Sequence, residues 1–282
     1  LRFYRFISEK GIELAVEEDG NFISISKLLG KKSGELDLND IIDNTAIIRD
    51  ALKKKNYSYL DIEKPRYAPV VGKPQKIICV GLNYLSHIEE TERKIPEFPV
   101  LFSKFNNSLT GHLEKIKLSG TDLNVDYEGE LGFMISRKAY RVTNDFERYI
   151  FGYFIGNDLS ARNLQYRTSQ YLLGKTLDGF YPNGPFLATS DEIGDPQALN
   201  IVTKVNGTVR QNSNTSNMIF SINRLISYIT SYLPLEAGDI ISTGTPEGVI
   251  MGMKDSEKKW LSAGDEVEVT IEGLGTLKNS FY

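Results

Sequence analysis

From Lys76 onward the chain is a succession of short strand-like runs, and that restricts the fold more than any other feature. KIICV, PVLFSK, EKIKLS, GELGFMIS, IFGYFIGN, NIVTKVNG, DIISTG and DEVEVTIE are apolar or alternating segments separated by Gly, Asn and Asp. Few helical stretches intervene, the clearest being SINRLISYITSYL headed by Ser221. A doubly wound α/β fold needs a helix between successive strands. The spacing therefore predicts an α+β, strand-dominated fold built on a mixed sheet. NGTVRQ reads as a hairpin tip, because Asn206-Gly207 suits a type I′ turn.

The first 65 or so residues have a different texture. FYRFIS, ELAVEE and NFISISKLL suggest a few strands, with Gly11 and Gly20 at turns. LNDIIDNTAIIRDALKKK follows, with Leu38, Ile41, Ile42, Ile47, Ile48 and Leu52 at helical spacing. Its Asn39-Asp40 start and lysine-rich end suit the helix dipole. EKPRYAPVVGKPQ then carries three prolines and a glycine, a linker-like composition. The expected organisation is a small N-terminal α/β domain over residues 1–68 and a larger domain over residues 69–282. No catalytic cluster precedes the linker.

Composition removes several function classes. The net charge is −4 and the basic residues are scattered, so no stripe for nucleic acid exists. No apolar run approaches the ~20 residues of a membrane helix, and no signal peptide is read at the start. The single cysteine, Cys79, lies in the apolar run IICV and reads as an inert buried thiol. Without an intrachain disulfide the expected location is cytoplasmic. Histidine occurs only at 87 and 112, which excludes a His-rich or Cys/His zinc site. Any metal must be held mostly by oxygen.

DYEGELGFM, residues 126–134, sets a problem. Side chains alternate along a strand, so Glu128 and Glu130 point the same way beside core residues. An edge strand with a solvated face is one solution. A cation is the other, and IFGYFIGNDLSARNLQ supports it, because Asp158 ends a buried strand and meets the same difficulty. Ser160 reads there as the cap of a following helix. Three converging carboxylates suit Mg²⁺, Mn²⁺ or Ca²⁺. In VGLNYLSHIEETE, His87 and Glu90 are three residues apart, neighbours if the segment is helical. Such a pair can serve as a general base, or be a surface histidine in an acidic helix. His112 has no such partner and reads as structural. Lys175 lies in a glycine- and proline-punctuated loop, as a surface charge or an anion-binding group. ISTGTPEGV offers Thr243 and Thr245 hydroxyls to a carboxylate. It lacks the Gly-Lys-Ser/Thr core of a phosphate loop, and no Gly-x-Gly-x-x-Gly occurs anywhere.

In order, GLNYLSH-x-x-E, FSK, DYEGELG, GNDLSARNLQ, LGKTLDGFYPNGP, VNGTVRQ, MIFSI, LEAGDIISTGTPEGV and LSAGDEVEVTIEGLGTL resemble the fumarylacetoacetate hydrolase family over roughly residues 75–280. The resemblance is nearest to its acylpyruvase and fumarylpyruvate hydrolase-like branch. It implies a mixed β-roll catalytic domain, usually homodimeric, behind a small N-terminal domain. It implies Glu128, Glu130 and Asp158 as ligands of Mg²⁺ or Mn²⁺, with Ca²⁺ able to stand in within crystals. His87 and Glu90 match the family's water-activating pair on a mobile lid. Lys175 is assigned with them to catalysis. Lys104, Arg162, Gln165 and Thr245 match substrate-binding positions. The family's lysine at 104 is normally followed by proline, where Phe105 stands here. Asn163 replaces a common Asp, and Tyr181 a smaller residue.

The activity implied is metal-assisted cleavage of a carbon–carbon bond in a 2,4-dioxo acid of acylpyruvate or fumarylpyruvate type. His87 would deprotonate water for attack on the 4-carbonyl, Glu90 would hold the imidazolium, and Lys175 with Gln165 would stabilise the oxyanion. Pyruvate and a carboxylic acid would leave. The same site could decarboxylate oxaloacetate, isomerise an unsaturated dioic acid, or dehydrate a 2-keto-3-deoxy sugar acid, since each passes through an enolate. A ligand-binding protein that retains the metal without turnover is the reading from another class.

Overall fold

The structure, a computed structural model, describes residues 1–55, 57–118 and 123–282. Strands account for 34% of it and helices for 22%, so the fold is α+β and strand-dominated. The strands that matter are β1 (Arg2–Ser8), β2 (Gly11–Glu18), β3 (Asn21–Ser24), β4 (Ile77–Gly81), β5 (Val100–Ser103), β6 (Gly129–Ile135), β7 (Ile150–Asn157), β8 (Tyr181–Thr189), β9 (Asn200–Val205), β10 (Thr208–Asn214), β11 (Ile240–Ser242), β12 (Glu266–Ile271) and β13 (Gly275–Phe281). The helices are α1 (Leu38–Lys53), α2 (Leu85–Glu90) and α3 (Ile222–Tyr232), besides several single turns.

The main sheet runs β3-β2-β1-β8-β7-β6-β11-β4-β5, with a short tenth strand, Leu109–Thr110, beside β8. It is mixed: β4 lies parallel to β11, while β6, β7 and β8 pair antiparallel. A second sheet runs β10-β9-β12-β13 and ends on Lys115–Ile116. β6 and β7 are buried along their whole length because both faces are covered. Leu131, Phe133, Ile135, Tyr153 and Ile155 pack into the core shared with β9, β12 and β13. Met134, Phe151 and Phe154 face a second core with Phe3, Leu14, Val16, Ile41 and Ile48. Coverage on both faces explains why these strands read as nearly continuous apolar runs. The N-terminal strands also continue the main sheet, with Arg2 opposite Ala188 and Phe3 opposite Leu187.

Local signals hold in part. α3 is capped by the Ser221 side chain, which accepts from Arg224 N–H. Asn206 and Gly207 both have positive φ (50° and 77°) between paired Val205 and Thr208, the predicted type I′ tip. α1 starts one step earlier than expected. Asp37 is its cap, and Asp40 closes a capping box back onto the Asp37 N–H. EKIKLS contributes only Lys115–Ile116 as strand, and its last residue, Ser119, lies outside the described residues. β8 is the largest departure. LLGKTLDGFYPNGP reads as a glycine- and proline-punctuated loop, yet its last five residues open the nine-residue strand YPNGPFLAT inside the sheet. The pairing of β7 with β8 shifts register between Tyr153 and Ile155, and that irregularity admits residues that cannot donate to a ladder.

Candidate active site

β6 begins at Gly129, so Glu128 stands just ahead of it and Glu130 is its second residue. β7 runs antiparallel and places Asn157 opposite Gly129, with Asp158 next along the chain. Two bonds fix this junction. Asp158 N–H donates to the Glu128 carbonyl (2.8 Å), and Glu128 N–H donates to Asn157 Oδ1 (3.0 Å). Carboxylate oxygens of Glu128, Glu130 and Asp158 therefore lie within 4.8 Å of one another, all buried. The paired glutamates belong to a cluster and not to a solvated edge.

Buried cations surround the cluster. Lys175 Nζ donates to Glu128 Oε2 (2.6 Å) and Asp158 Oδ2 (2.8 Å). Lys104 Nζ donates to Asp158 Oδ1 (2.5 Å) and the Leu159 carbonyl (3.2 Å). Arg162 reaches Glu128 (2.7 Å) through Nη1 and Asp126 through Nε and Nη2 (2.9 and 2.7 Å). Burial works to raise the Glu128 carboxyl, but Lys175 and Arg162 outweigh it and hold it at about 2. Glu130 goes the other way. Burial, then the facing charges of Asp158 and Glu128, push it well above the ordinary carboxylate range. Among the described residues its only donors are the Ser242 hydroxyl and Gly244 N–H (3.2 Å), neither of them charged. A buried carboxylate crowded by two others and lacking a cation of its own fits a hard divalent ion. Three oxygen donors are the set such an ion takes.

His87 lies in α2, the helix anticipated for HIEE. Its imidazole is buried and lines one cavity with Glu128, Glu130, Arg162, Gln165, Lys175 and Thr245. The free space enclosed there is about 30 Å³, room for one or two waters, and the cavity opens in part to solvent. Glu90 Oε2 is 3.5 Å from His87 Nδ1, beyond hydrogen-bond length but within ion-pair range of a protonated ring. Gly248 N–H holds the Glu90 carboxylate through both oxygens (3.1 and 3.0 Å). Gly252 closes the other side, since a Cβ there would strike the same carboxyl.

The expected substrate positions spread out. Gln165 and Thr245 line the cavity. Gln165 Oε1 accepts from Arg162 Nη1 (2.9 Å), and Thr245 Oγ1 donates to the Gly129 carbonyl (3.0 Å). Lys104 stands behind Asp158 and is not part of the cavity wall. Lys175 ends a helical turn, Leu172–Lys175, where a loop was expected. Gly174 in that turn packs on Gln165 so closely that a Cβ would lie 2.5 Å from its nitrogen. Ser160 caps nothing. It belongs to a two-residue bridge to Val125–Asp126, and the helical turn Arg162–Gln165 follows Ala161 without a side-chain cap.

Three residues escaped the sequence reading. Asp126 accepts from Arg162 and from Ile250 and Met251 N–H (2.8 and 3.0 Å), joining the cluster to the loop after Gly248. Its signal was present, since it continues the Glu128/Glu130 alternation backwards by two. Ser242 holds Glu130, and Gln211 ties Gly129 N–H (3.0 Å) to Thr245 (2.8 Å). A serine ending a strand and a glutamine in a hairpin carry no such signal alone.

The model of the family described as fumarylacetoacetate (FAA) hydrolase C-terminal matches residues 76–282. Oxaloacetate tautomerase YisK of Bacillus subtilis is 41% identical over 228 residues, 79% of this chain and 75% of the relative. Fumarylacetoacetate hydrolase EaFAH from Exiguobacterium antarcticum superposes with a TM-score of 0.86 at 32% identity, over 99% of this chain and 98% of that one. A maleylpyruvate hydrolase from Sphingobium sp. SYK-6, solved with manganese(II) and pyruvate, gives 0.83 at 25% identity over 100% and 98%. Family model, identity over three-quarters of the chain, and fold agree: the chain belongs to the fumarylacetoacetate hydrolase family.

Proposed function

We propose that the chain is a divalent-cation-dependent enzyme that interconverts the keto and enol forms of an oxaloacetate-type 2-oxo acid. The observation that carries this is the convergence of Glu128, Glu130 and Asp158, with both glutamates lining a cavity that the His87 imidazole also lines. The relative named oxaloacetate tautomerase supports the choice of reaction. Mg²⁺ or Mn²⁺ held by the three carboxylates would polarise the 2-oxo group and acidify the neighbouring C–H. His87 takes the proton from C3 and delivers it to the 2-oxygen in one direction, and carries it back from oxygen to C3 in the other. Glu90, pinned by Gly248, steadies the charged imidazole while the proton is on it. Lys175 spends two donors on Glu128 and Asp158 and has a third for the substrate oxygen. Arg162 is mostly engaged with Asp126, Glu128 and Gln165, so it positions these groups.

A second reading is hydrolysis of an acylpyruvate, favoured by the His87–Glu90 pair beside the carboxylates and by likeness to the maleylpyruvate hydrolase. There His87 would take its proton from water. We also propose a homodimer, testable by sedimentation, and a cytoplasmic location on the ground of one buried free cysteine.

One experiment separates these. Oxaloacetate tautomerisation, its decarboxylation and acetylpyruvate cleavage are followed with Mg²⁺, Mn²⁺ or excess chelator, in wild type and His87→Ala. The proposal expects metal-dependent tautomerisation that falls by about two to four orders of magnitude in His87→Ala, the span of a general base. Undiminished activity in chelator removes the cation. Cleavage without tautomerisation selects the second reading.

A further inference from the structure

We infer that Arg93 is the specificity-determining residue that recognises a second, distal carboxylate, making the preferred substrate a 2-oxo dicarboxylate. This rests on the proposed oxo-acid site and names its substrate class. Arg93 lines the same cavity as Glu128, Glu130, His87 and Lys175, but lies on the exposed segment beyond α2. Its guanidinium carbon lies over the Tyr166 ring, 5.5 Å from the centroid. Tyr166 in turn meets Tyr171 edge-on (5.9 Å), and Tyr171 meets Phe102 (5.7 Å). Arg93 N–H donates to the Ile88 carbonyl (3.0 Å), which fixes the backbone directly behind the histidine helix.

The other lysine and arginine of the cavity are committed to the cluster end of the site. Lys175 and Arg162 pair with the buried carboxylates. Among the described residues no carboxylate lies within ion-pair distance of Arg93, although glutamates occupy 89, 90 and 92. With no carboxylate paired to it, the guanidinium keeps its donors for a ligand, and its planar fork suits bidentate pairing with a carboxylate. The cluster takes the carboxylate and 2-oxo group, and Arg93, on a separate segment of the same cavity wall, takes the distal carboxylate. An acylpyruvate with an alkyl tail would leave Arg93 unpaired.

The test compares Arg93→Met and Arg93→Lys with wild type in Mg²⁺, reading both turnover and calorimetric binding. Oxaloacetate carries the distal carboxylate; pyruvate and acetylpyruvate lack it. For Arg93→Met, affinity and kcat/KM for oxaloacetate should fall by about ten- to hundredfold, the usual worth of a charge-assisted bond. Values for pyruvate and acetylpyruvate should stay within about threefold, and Arg93→Lys should recover part of the loss. Equal loss for both ligand classes, or no wild-type preference for oxaloacetate over pyruvate, overturns the inference. If binding shows the preference and its loss while wild type turns nothing over, Arg93 stands and the proposed reaction falls.

Discussion

His112 and His87 show how surroundings divide two identical side chains. His87 faces carboxylates across a cavity. His112 Nδ1 accepts from Lys278 N–H (3.1 Å), and its ring meets Tyr67 edge-on at 4.7 Å. Burial, and then the Lys278 charge, lower its pKa to about 4. The unfolded chain binds this proton near pH 6.5 and the folded chain does not, so stability is intact above 6.5 and is lost as pH falls towards 4. The ring is partly solvated, which reduces the full linkage value to about 1 kcal/mol between pH 7 and 5. His112→Asn cannot titrate, so its stability should fall that much less over the same interval. Urea midpoints of both proteins at pH 7 and 5 check this. Parallel losses would show that other groups set the acid limb.

At the scale of elements, the loop from Thr243 to Val249 links strand, cluster and the α2 helix. β11 delivers Ser242 to Glu130, Thr245 closes on Gly129, and Gly248 holds Glu90. Gly248 has φ +94°, and a Cβ there would sit 2.0 Å from the Arg210 carbonyl. Gly264 has the same φ with nothing within 4 Å, so it serves as a control. Gly264→Ala should cost about 1–2 kcal/mol, the strain of the left-handed region alone. Gly248→Ala should cost clearly more and also lower kcat/KM, because the backbone must shift away from Glu90. Thermal unfolding and turnover of both variants measure the difference; equal costs would mean the close approach to Arg210 is relieved freely. Such closeness cannot be read from a sequence, where Gly248 and Gly264 look alike. The carboxylate cluster was legible because alternation forces Glu128 and Glu130 onto one side, and Asp158 stands at the end of an apolar strand. β8 was not, since its prolines and glycine obey local rules that the irregular pairing overrides.

At the scale of the whole molecule, the question is whether residues 69–282 stand alone. The linker-like prolines and a family match that begins at residue 76 both suggest a boundary. The packing argues that the boundary is costly to cut. β1 covers the edge of β8, and Phe3, Leu14, Val16, Ile41 and Ile48 lie over Met134, Phe151, Phe154, Leu187 and Ile240. Removing the cover would expose those five side chains. At about 1.5–3 kcal/mol each, the loss is on the order of 10 kcal/mol. A typical domain is stable by only about 5–15 kcal/mol. The uncovered β8 edge would also invite pairing with other chains. Residues 69–282 expressed alone should therefore aggregate, or unfold far below the full chain, even though every proposed ligand and His87 are retained. The measurement is the soluble fraction and thermal midpoint of both forms at equal concentration, with Mn²⁺ binding as a readout of the site. A soluble fragment with an unchanged midpoint and intact Mn²⁺ binding would mean the first 68 residues are a detachable module whose packing adds little to the catalytic fold.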